Sequence, residues 1–242
     1  MATKLLSVSA DAKTVKGEKV GVLTGILYLA PHDVSGYQVC IKSTAGCRKA
    51  CLYSAGRAVV FEAIPAARIH KTKQFFELRQ WFMETLAKDI RAIIRKADKQ
   101  DMIPAIRLNG TSDILWEKMP VIVDGFKYDN LMLAFPDVQY YDYTKILGRK
   151  KALALPNYHL TFSLAENNLK AALRALKVGY SVAVVLNLKK GEPKPETFKG
   201  YPVIDGDASD IRFNDPAGHF IALTAKGQAR YDTSGFVREV TP

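Results

Sequence analysis

The sequence predicts an α/β protein in which residues 1–242 form one domain, with parallel strands and helices arranged as a partial or closed (β/α) barrel. The first observation is the length of 242 residues with 48% apolar residues, which suits one globular domain with a substantial core. The second is that apolar, β-prone runs alternate with amphipathic stretches. The third is that polar side chains follow several predicted strands, at the end where parallel barrels carry their sites.

The first part of the chain is predicted to contain two strands, a long loop and one long helix. Lys4–Ala10 alternates weakly, as an edge strand does, and Asp11–Lys19 is a polar connector. Val20–Leu29 is apolar and β-prone, although Gly21, Thr24 and Gly25 interrupt it, and this is typical of a buried strand. Residues 32–53 form a loop rich in Gly, Ser and Cys. Pro65–Lys99 is predicted to be helical, because apolar side chains recur every three or four residues along it.

The remaining chain alternates between strands and short helical stretches. The predicted strands are Ile103–Leu108, Val138–Tyr143, Tyr158–Leu164, Ser181–Leu188, Pro202–Asp205 and His219–Thr224. Asn168–Lys177 is predicted to be an amphipathic helix, and Gly179 suits the position just after its end. Residues 189–199 contain two prolines and several charges and are predicted to form an exposed loop. This order predicts parallel βαβ units.

Polar residues that follow the predicted strands form the candidate ligand-binding set. They are Asn109, Ser112, Asp113, Lys145, Glu166 and Asp205. Because the carboxyl ends of parallel strands meet at one edge, these side chains are expected to line a mouth that binds a small anionic ligand or cofactor. The alternative is that polar residues simply mark where each strand stops.

Three cysteines form the most specific motif of the chain. Cys40, Cys47 and Cys51 have the spacing C-x6-C-x3-C and are treated as one unit. Thiolates are soft ligands for zinc, copper or iron–sulfur clusters. Three interpretations stay open: a [4Fe-4S] cluster with one open iron, a zinc ion with a fourth ligand from His32 or His70, or three unrelated thiols.

The positive charge is concentrated around this motif. The chain has 35 basic and 24 acidic residues, a net charge of +11, and residues 42–100 alone contribute 13 basic and 5 acidic residues, a net of +8. A local excess of positive charge attracts anions. The candidate anions are nucleic acid, phosphate-bearing metabolites and an anionic metal cluster. The candidate contacts with nucleic acid are Lys88, Arg91, Arg95 and Lys99.

Several function classes lack their sequence signatures. The chain contains no Walker A sequence, no G-x-G-x-x-G, no G-x-S-x-G and no H-E-x-x-H. No apolar run reaches the roughly 20 residues of a membrane span, and the first residues do not have the order of a signal peptide. We therefore expect no membrane partner and a cytoplasmic protein, whose cysteines are reduced or bound to metal.

The order of these features resembles the architecture of radical S-adenosylmethionine enzymes. An N-terminal strand, a loop with three cysteines and βα units with polar strand ends occur in that order, although C-x6-C-x3-C stands where that superfamily has C-x3-C-x2-C. The resemblance implies a TIM-like fold and a [4Fe-4S] cluster, and it adds S-adenosylmethionine as a second cofactor near residues 110–113. An enzyme of this kind would be an iron–sulfur-dependent lyase or oxidoreductase.

A second resemblance is to bacteriophage proteins of the gene-product-88 type. It rests on residues 46–53, 107–113, 210–213 and 223–227. It implies a phage origin and a place in the cytoplasm of the infected host cell. The favoured function is therefore a phage-encoded iron–sulfur protein that binds its cluster through three cysteines. The alternative is a basic phage protein that binds nucleic acid and contains a structural zinc or no metal.

Overall fold

The computed structural model describes most of the chain and divides it into two compact units. The described residues are 4–9, 12–54, 60–189 and 191–240. The first unit comprises Met1–Ile41, Glu62–Asp142 and Arg149–His159. The second unit comprises Lys42–Phe61, Tyr143–Gly148 and Leu160–Pro242.

The strands and helices alternate along the chain, as expected for an α/β protein. The strands are β1 (Leu6–Val8), β2 (Val22–Leu27), β3 (Ile103–Arg107), β4 (Val121–Val123), β5 (Phe126–Tyr128), β6 (Gln139–Thr144), β7 (Tyr158–Ser163), β8 (Val182–Leu186), β9 (Thr197–Phe198), β10 (Tyr201–Asp205), β11 (Phe220–Thr224) and β12 (Val237–Arg238). The helices are α1 (Ala12–Glu18), α2 (Ala45–Lys49), α3 (Ala63–Glu77), α4 (Arg79–Asp98), α5 (Leu131–Ala134), α6 (Lys150–Leu153) and α7 (Leu169–Lys177).

The sheet of the first unit has the order β1-β2-β3-β6. β1 is antiparallel to β2, whereas β2, β3 and β6 are parallel. β2 is buried along its whole length, which confirms the predicted buried strand. β4 and β5 form a separate hairpin, and its two-residue turn, Asp124-Gly125, has positive φ at both positions, as a type I′ turn requires.

The sheet of the second unit has the order β7-β8-β11-β10-β9. Its strands are parallel except for β9, which is antiparallel to β10. β7 pairs with the first half of β8, and β12 pairs with the second half, through Val237 opposite Val185. The C-terminal segment therefore continues the line of β7 along the same edge of β8. α7 ends where predicted, and Gly179 has φ +92°.

A mostly parallel α/β architecture is confirmed, and a closed barrel is not found among the described residues. Within that part of the chain, β1 pairs only with β2 and β9 only with β10. Each of these strands thus forms an end of its sheet. In the predicted exposed loop 189–199, the described residues are mostly exposed, but Thr197–Phe198 pairs as β9.

The helix predicted over Pro65–Lys99 is two helices, interrupted at Leu78. The backbone of Leu78 has φ −128° and ψ 49°, which is not helical. The Arg79 guanidinium lies 3.6 Å from the Phe75 ring centroid, and its Nε donates to the Phe75 carbonyl at 2.6 Å. In a continuous helix that carbonyl would accept the backbone N–H of Arg79, so the side chain replaces the helical hydrogen bond.

Two further elements differ from the sequence-based expectation. Residues 12–18, predicted to belong to a polar connector, form α1, which packs against β2. The hairpin of β4 and β5 was not predicted, because three-residue strands are too short for a recognisable alternation.

α4 provides the core of the first unit. It packs against β1, β2, β3 and β4, and its buried face consists of Phe82, Met83, Leu86, Ala87, Ile90, Ile93 and Ala97. This face has the three- and four-residue spacing that the sequence indicates. Burial of this face, rather than intrinsic helix propensity, therefore stabilises α4.

Replacement of a core residue of α4 should destabilise the fold. Ile90 is 0% exposed, whereas Ile122 in β4 is 50% exposed. We expect Ile90→Ala to lower the free energy of unfolding by about 2–5 kcal/mol, because it leaves a cavity, and Ile122→Ala to lower it by less than about 1 kcal/mol. Urea denaturation measures both values. Equal losses in the two variants would contradict the assignment of α4 to the core.

Candidate functional site

None of the three cysteines of the predicted motif forms a disulfide, and all three are partly buried. Cys40 belongs to the first unit, and Cys47 and Cys51 belong to the second. The site is therefore described in two parts, one in each unit.

Cys47 and Cys51 lie on a short helical turn in the second unit. Thr44 caps α2, since its Oγ1 accepts the backbone N–H of Cys47 at 3.3 Å. The N–H of Cys51 donates to the Arg48 carbonyl at 3.3 Å, so the turn continues past the last residue of α2. Cys47 and Cys51 therefore lie four residues apart on one short turn.

Glu166 holds the beginning of this turn. Its Oε2 accepts the hydroxyl of Thr44 at 2.6 Å, and its Oε1 accepts the backbone N–H of Gly46 at 2.7 Å. Partial burial raises the pKa of Glu166, but the hydrogen bonds from Thr44 and Gly46 outweigh it, and the pKa lies below its ordinary value. The carboxyl group is therefore ionised at neutral pH.

Gly46 is required by the close approach of Glu166 and the C-terminal segment. A Cβ atom at this position would lie 2.0 Å from Ser234 Oγ and 3.0 Å from the carboxyl carbon of Glu166. Ser234 is itself fixed, since its hydroxyl donates to Asp232 Oδ1 at 2.6 Å, and the N–H of Val237 donates to Asp232 Oδ2 at 2.9 Å. The C-terminal segment therefore packs directly on the cysteine turn.

The C-terminal segment also covers the turn with apolar side chains. Ala50, Ala225 and Ala229 form a small buried cluster, against which Val185, Phe236 and Val237 pack. Arg238 Nη2 donates to the Ala165 carbonyl at 2.7 Å. The turn therefore rests on the residues that follow β7, β8 and β11.

In the first unit, residues 109–113 fold into a compact turn after β3. Asn109 Oδ1 accepts the hydroxyl of Ser112 at 2.8 Å and the indole N–H of Trp116 at 3.1 Å. The N–H of Gly110 donates to the Leu27 carbonyl at 3.0 Å. Cys40 Sγ lies 3.7 Å from the Thr111 carbonyl, within reach of a weak hydrogen bond. The structure thus brings the predicted residues Asn109, Ser112 and Asp113 together, beside Cys40.

The other three predicted residues lie in the second unit and are not brought together as a set. Lys145 follows β6 and is half-buried, whereas Asp205, the last residue of β10, is exposed and accepts the N–H of Asp207 at 2.8 Å. Glu166 follows β7, and β8 and β11 lie between β7 and β10. Three strand spacings amount to about 14 Å, so Glu166 and Asp205 do not share one small ligand.

A buried polar network in the first unit was not predicted from the sequence. Asp142 in β6 accepts the backbone N–H of Asn109 at 2.7 Å and the hydroxyl of Tyr158 at 2.9 Å. Arg149 donates to Tyr158 at 3.1 Å and pairs through two nitrogens with Glu117. A carboxylate in the middle of an apolar strand was the signal that could have identified Asp142.

Burial dominates the electrostatics of this network. It raises the pKa of Asp142 to about 7, against the opposing effect of the hydrogen bonds from Asn109 and Tyr158. The Arg149 and Glu117 side chains are 2% and 1% exposed and form an ion pair, and removal of either partner would leave a buried group without its counterpart. The network ties Asn109 to Asp142 and, through it, to Tyr158, all within the first unit.

Within the described ranges, no group of three or more His, Cys, Asp or Glu side chains is arranged to hold a metal ion. His32, a candidate fourth zinc ligand, contacts Asp33 through Nδ1, and His70 is exposed on α3. Asp207 is paired with Lys194 and Lys226.

No helix in the described part of the chain has the length and apolar character needed to cross a membrane.

The buried position of Asp142 predicts a pH-dependent stability. The folded carboxyl group keeps its proton up to about pH 7, whereas the ordinary value is 3.8. The folded state therefore binds more protons between these values and loses stability as the pH rises through this window, by no more than about 4 kcal/mol. Asp142→Asn should remove this loss.

Urea denaturation at about pH 5 and about pH 8 measures the effect. Wild type should lose more stability than Asp142→Asn between the two conditions, and Asp137→Asn, a change at an exposed position, should behave like wild type. Parallel losses in all three proteins would contradict burial as the cause.

Comparison with known proteins identifies the family of the chain. No curated protein and no solved structure matches it. A family model described as Gene product 88 matches residues 4–240, which is nearly the whole length and includes every residue of the cysteine turn and of the buried network. The resemblance seen in the short motifs is thus confirmed, and the chain belongs to the Gene product 88 family.

Proposed function

We propose that the protein is an iron–sulfur protein in which Cys40, Cys47 and Cys51 hold a [4Fe-4S] cluster and leave one iron open. The observation that carries the proposal is that Cys47 and Cys51 lie four residues apart on a short turn, whose beginning is fixed by Thr44 and Glu166. Thiolates are soft ligands that suit an iron–sulfur centre.

The charge around the turn supports the same proposal. Residues 42–61 contain four basic and no acidic residues. Three thiolates carry three negative charges, and nearby cations stabilise both thiolates and an anionic cluster. Arg48 and Lys49 are exposed at the end of α2, so the positive charge is immediately adjacent to Cys47.

Cysteine thiolates are suitable donors for an iron–sulfur cluster. We infer that binding of the cluster orders the three cysteines as its ligands. The described residues do not by themselves contain a ready three-ligand group, and metal binding is commonly coupled to the ordering of its ligands. A zinc ion, the alternative metal, would need a fourth protein ligand. The cytoplasm of the infected cell would keep the thiols reduced.

The proposal extends to a small anionic ligand at the open iron or, in a radical-SAM-like partial barrel, to S-adenosylmethionine in its place. Asn109 and Ser112 are buried and bond to each other, so they would act by shaping the turn of residues 109–113. Asp113 and Lys145 are more exposed and would contact the ligand. When bound, the cluster would supply electron transfer.

Anaerobic purification tests the proposal. Wild type should be brown and contain about four iron and four sulfide per chain, with visible absorption that Cys47→Ala removes. Ser43→Ala, which removes a hydroxyl from the same loop and keeps the thiols, should retain the cluster. A colourless wild type after anaerobic reconstitution with iron and sulfide would contradict the proposal, and zinc bound in stoichiometric amount would favour the alternative metal.

A second candidate function, binding of nucleic acid, is favoured by one face of α4. Lys88 and Arg95 are exposed there, and Lys99 is exposed directly after the helix. Arg91 on the same face is paired with Asp124. Of the neighbouring cations, Lys71 donates to the Leu5 carbonyl at 2.8 Å, and Arg68 lies over the Tyr28 ring. The free positive charge is thus smaller than the sequence suggests.

If this face binds nucleic acid, binding should depend steeply on salt. Replacement of Lys88, Arg95 and Lys99 by Gln should weaken retention on DNA or RNA at low ionic strength and reduce the slope of log affinity against log salt by about three. Lys127→Gln on the hairpin is the control. Equal retention of the triple variant and wild type would contradict this function.

A further inference from the structure

A cavity of about 450 Å³ lies in the first unit, at the edge of the sheet where β3 and β6 begin. It is lined by residues from the end of α4, from the start of β3 and from the segment that leads from α5 into β6. The turn of residues 109–113 follows the other end of β3. Small-molecule sites are typically cavities of this size. The first unit therefore has room for a ligand away from that turn.

The lining of the cavity combines apolar side chains with two carboxylates. Phe135 and Val138 are 8% and 1% exposed and form its buried part. Asp98 and Asp137 are exposed, and they are the charged side chains among the described residues that line the cavity. The other lining residues are apolar. A ligand in this cavity would therefore meet apolar surface inside and negative charge on the exposed side.

The end of α4 adds to the negative potential of the cavity. Asp98 is the last residue of this 20-residue helix, and the C-terminal end of a helix carries the negative pole of its dipole. The nearest cations in the sequence, Lys96 and Lys99, are exposed and are not lining residues. The cavity is thus acidic in a chain whose net charge is +11, and this favours a cationic ligand.

Hydrogen bonds fix one wall of the cavity. Asn157 Nδ2 lies within hydrogen-bond distance of three carbonyls, those of Met132 at 3.0 Å, Phe135 at 3.2 Å and Val138 at 3.1 Å. The N–H of Val138 also donates to the Phe135 carbonyl at 3.2 Å. A wall that is already ordered reduces the entropy that is lost when a ligand binds.

We propose that the cavity binds a small aliphatic diamine, whose two ammonium groups pair with Asp98 and Asp137 and whose methylene chain contacts the apolar lining. The two carboxylates supply one counter-charge for each ammonium group. A metal ion matches the lining less well, because it needs at least four ligands. No three His, Cys, Asp or Glu side chains in the described part of the chain are arranged to hold one. The proposal does not depend on the iron–sulfur function.

Three variants separate the contributions of charge and space. Asp98→Asn and Asp137→Asn each remove one negative charge and keep the size of the side chain, so each should weaken binding about fivefold, as expected for an exposed ion pair. Ala134→Leu adds apolar volume at a lining position and should abolish binding. Asp129→Asn is the matched control, because Asp129 is an exposed carboxylate of the same unit that does not line the cavity.

Isothermal titration calorimetry with diaminopentane at low ionic strength measures the dissociation constant for each protein. Wild type and Asp129→Asn should bind diaminopentane with the same affinity. Pentanediol, which has the same length and no charge, should not bind. Urea denaturation of each variant shows whether the fold is kept.

Two results would overturn the proposal. One is that wild type does not bind diaminopentane at millimolar concentrations, and the other is that Asp98→Asn and Asp137→Asn bind it as tightly as Asp129→Asn does. Binding of Mg²⁺ that is lost in both aspartate variants, without binding of diaminopentane, would assign the cavity to a metal ion instead. If Ala134→Leu does not fold, the two aspartate variants decide.

Discussion

Carboxylates that accept backbone N–H groups hold the loops at the ends of the parallel strands. Asp142 binds the N–H of Asn109, Glu166 binds that of Gly46, and Asp207 binds that of the last residue of β11. Where a strand ends, as before Asn109, or a helix begins, as at Gly46, backbone N–H groups lack partners within the element and need other ones. A side-chain acceptor supplies them at a fixed point, and the turns that carry the candidate site residues take their shape from these bonds.

These carboxylates also determine the local balance of charge. The segment from residue 42 to residue 61 is entirely basic in its charged side chains, and such a segment repels itself unless anions are nearby. Glu166 supplies one negative charge, and a cluster with its thiolates would supply more. The excess positive charge of the chain can therefore be understood as the setting of one site, without the need for a basic surface over the whole protein.

The sequence predicts the elements that have a long regular pattern. The apolar face of α4 follows from a three- and four-residue periodicity over 20 residues, and β2 follows from an apolar, β-prone run. The interruption at Leu78 could not be predicted, because it depends on the Arg79 side chain taking the carbonyl of Phe75. The Asp124-Gly125 dipeptide is a strong sequence signal for a hairpin turn. The flanking strands of three residues are too short to show the alternation that would support this prediction.

The candidate site also has a part that the sequence predicts and a part that it does not. The cysteine spacing and the polar residues that follow β3 can be read from the sequence. The hydrogen-bond partners of the cysteine turn cannot, because Glu166 binds Gly46, which lies 120 residues earlier in the chain. Asp142 was missed because a polar residue inside a predicted strand is ordinarily assigned to the exposed face, whereas its side chain is 1% exposed.

Asp142 and Glu166 show how burial decides between two roles for the same chemical group. Each accepts one backbone N–H at 2.7 Å and one hydroxyl at less than 3 Å. Asp142 is completely enclosed, so desolvation prevails and its pKa rises to about 7, whereas Glu166 keeps contact with solvent and its pKa falls. Near-identical hydrogen bonds therefore produce a carboxyl group that titrates near neutrality in one unit and a permanent negative charge in the other. The permanent charge of Glu166 offsets part of the positive charge of the segment from residue 42 to residue 61, and its electrostatic effect does not change with pH in the physiological range.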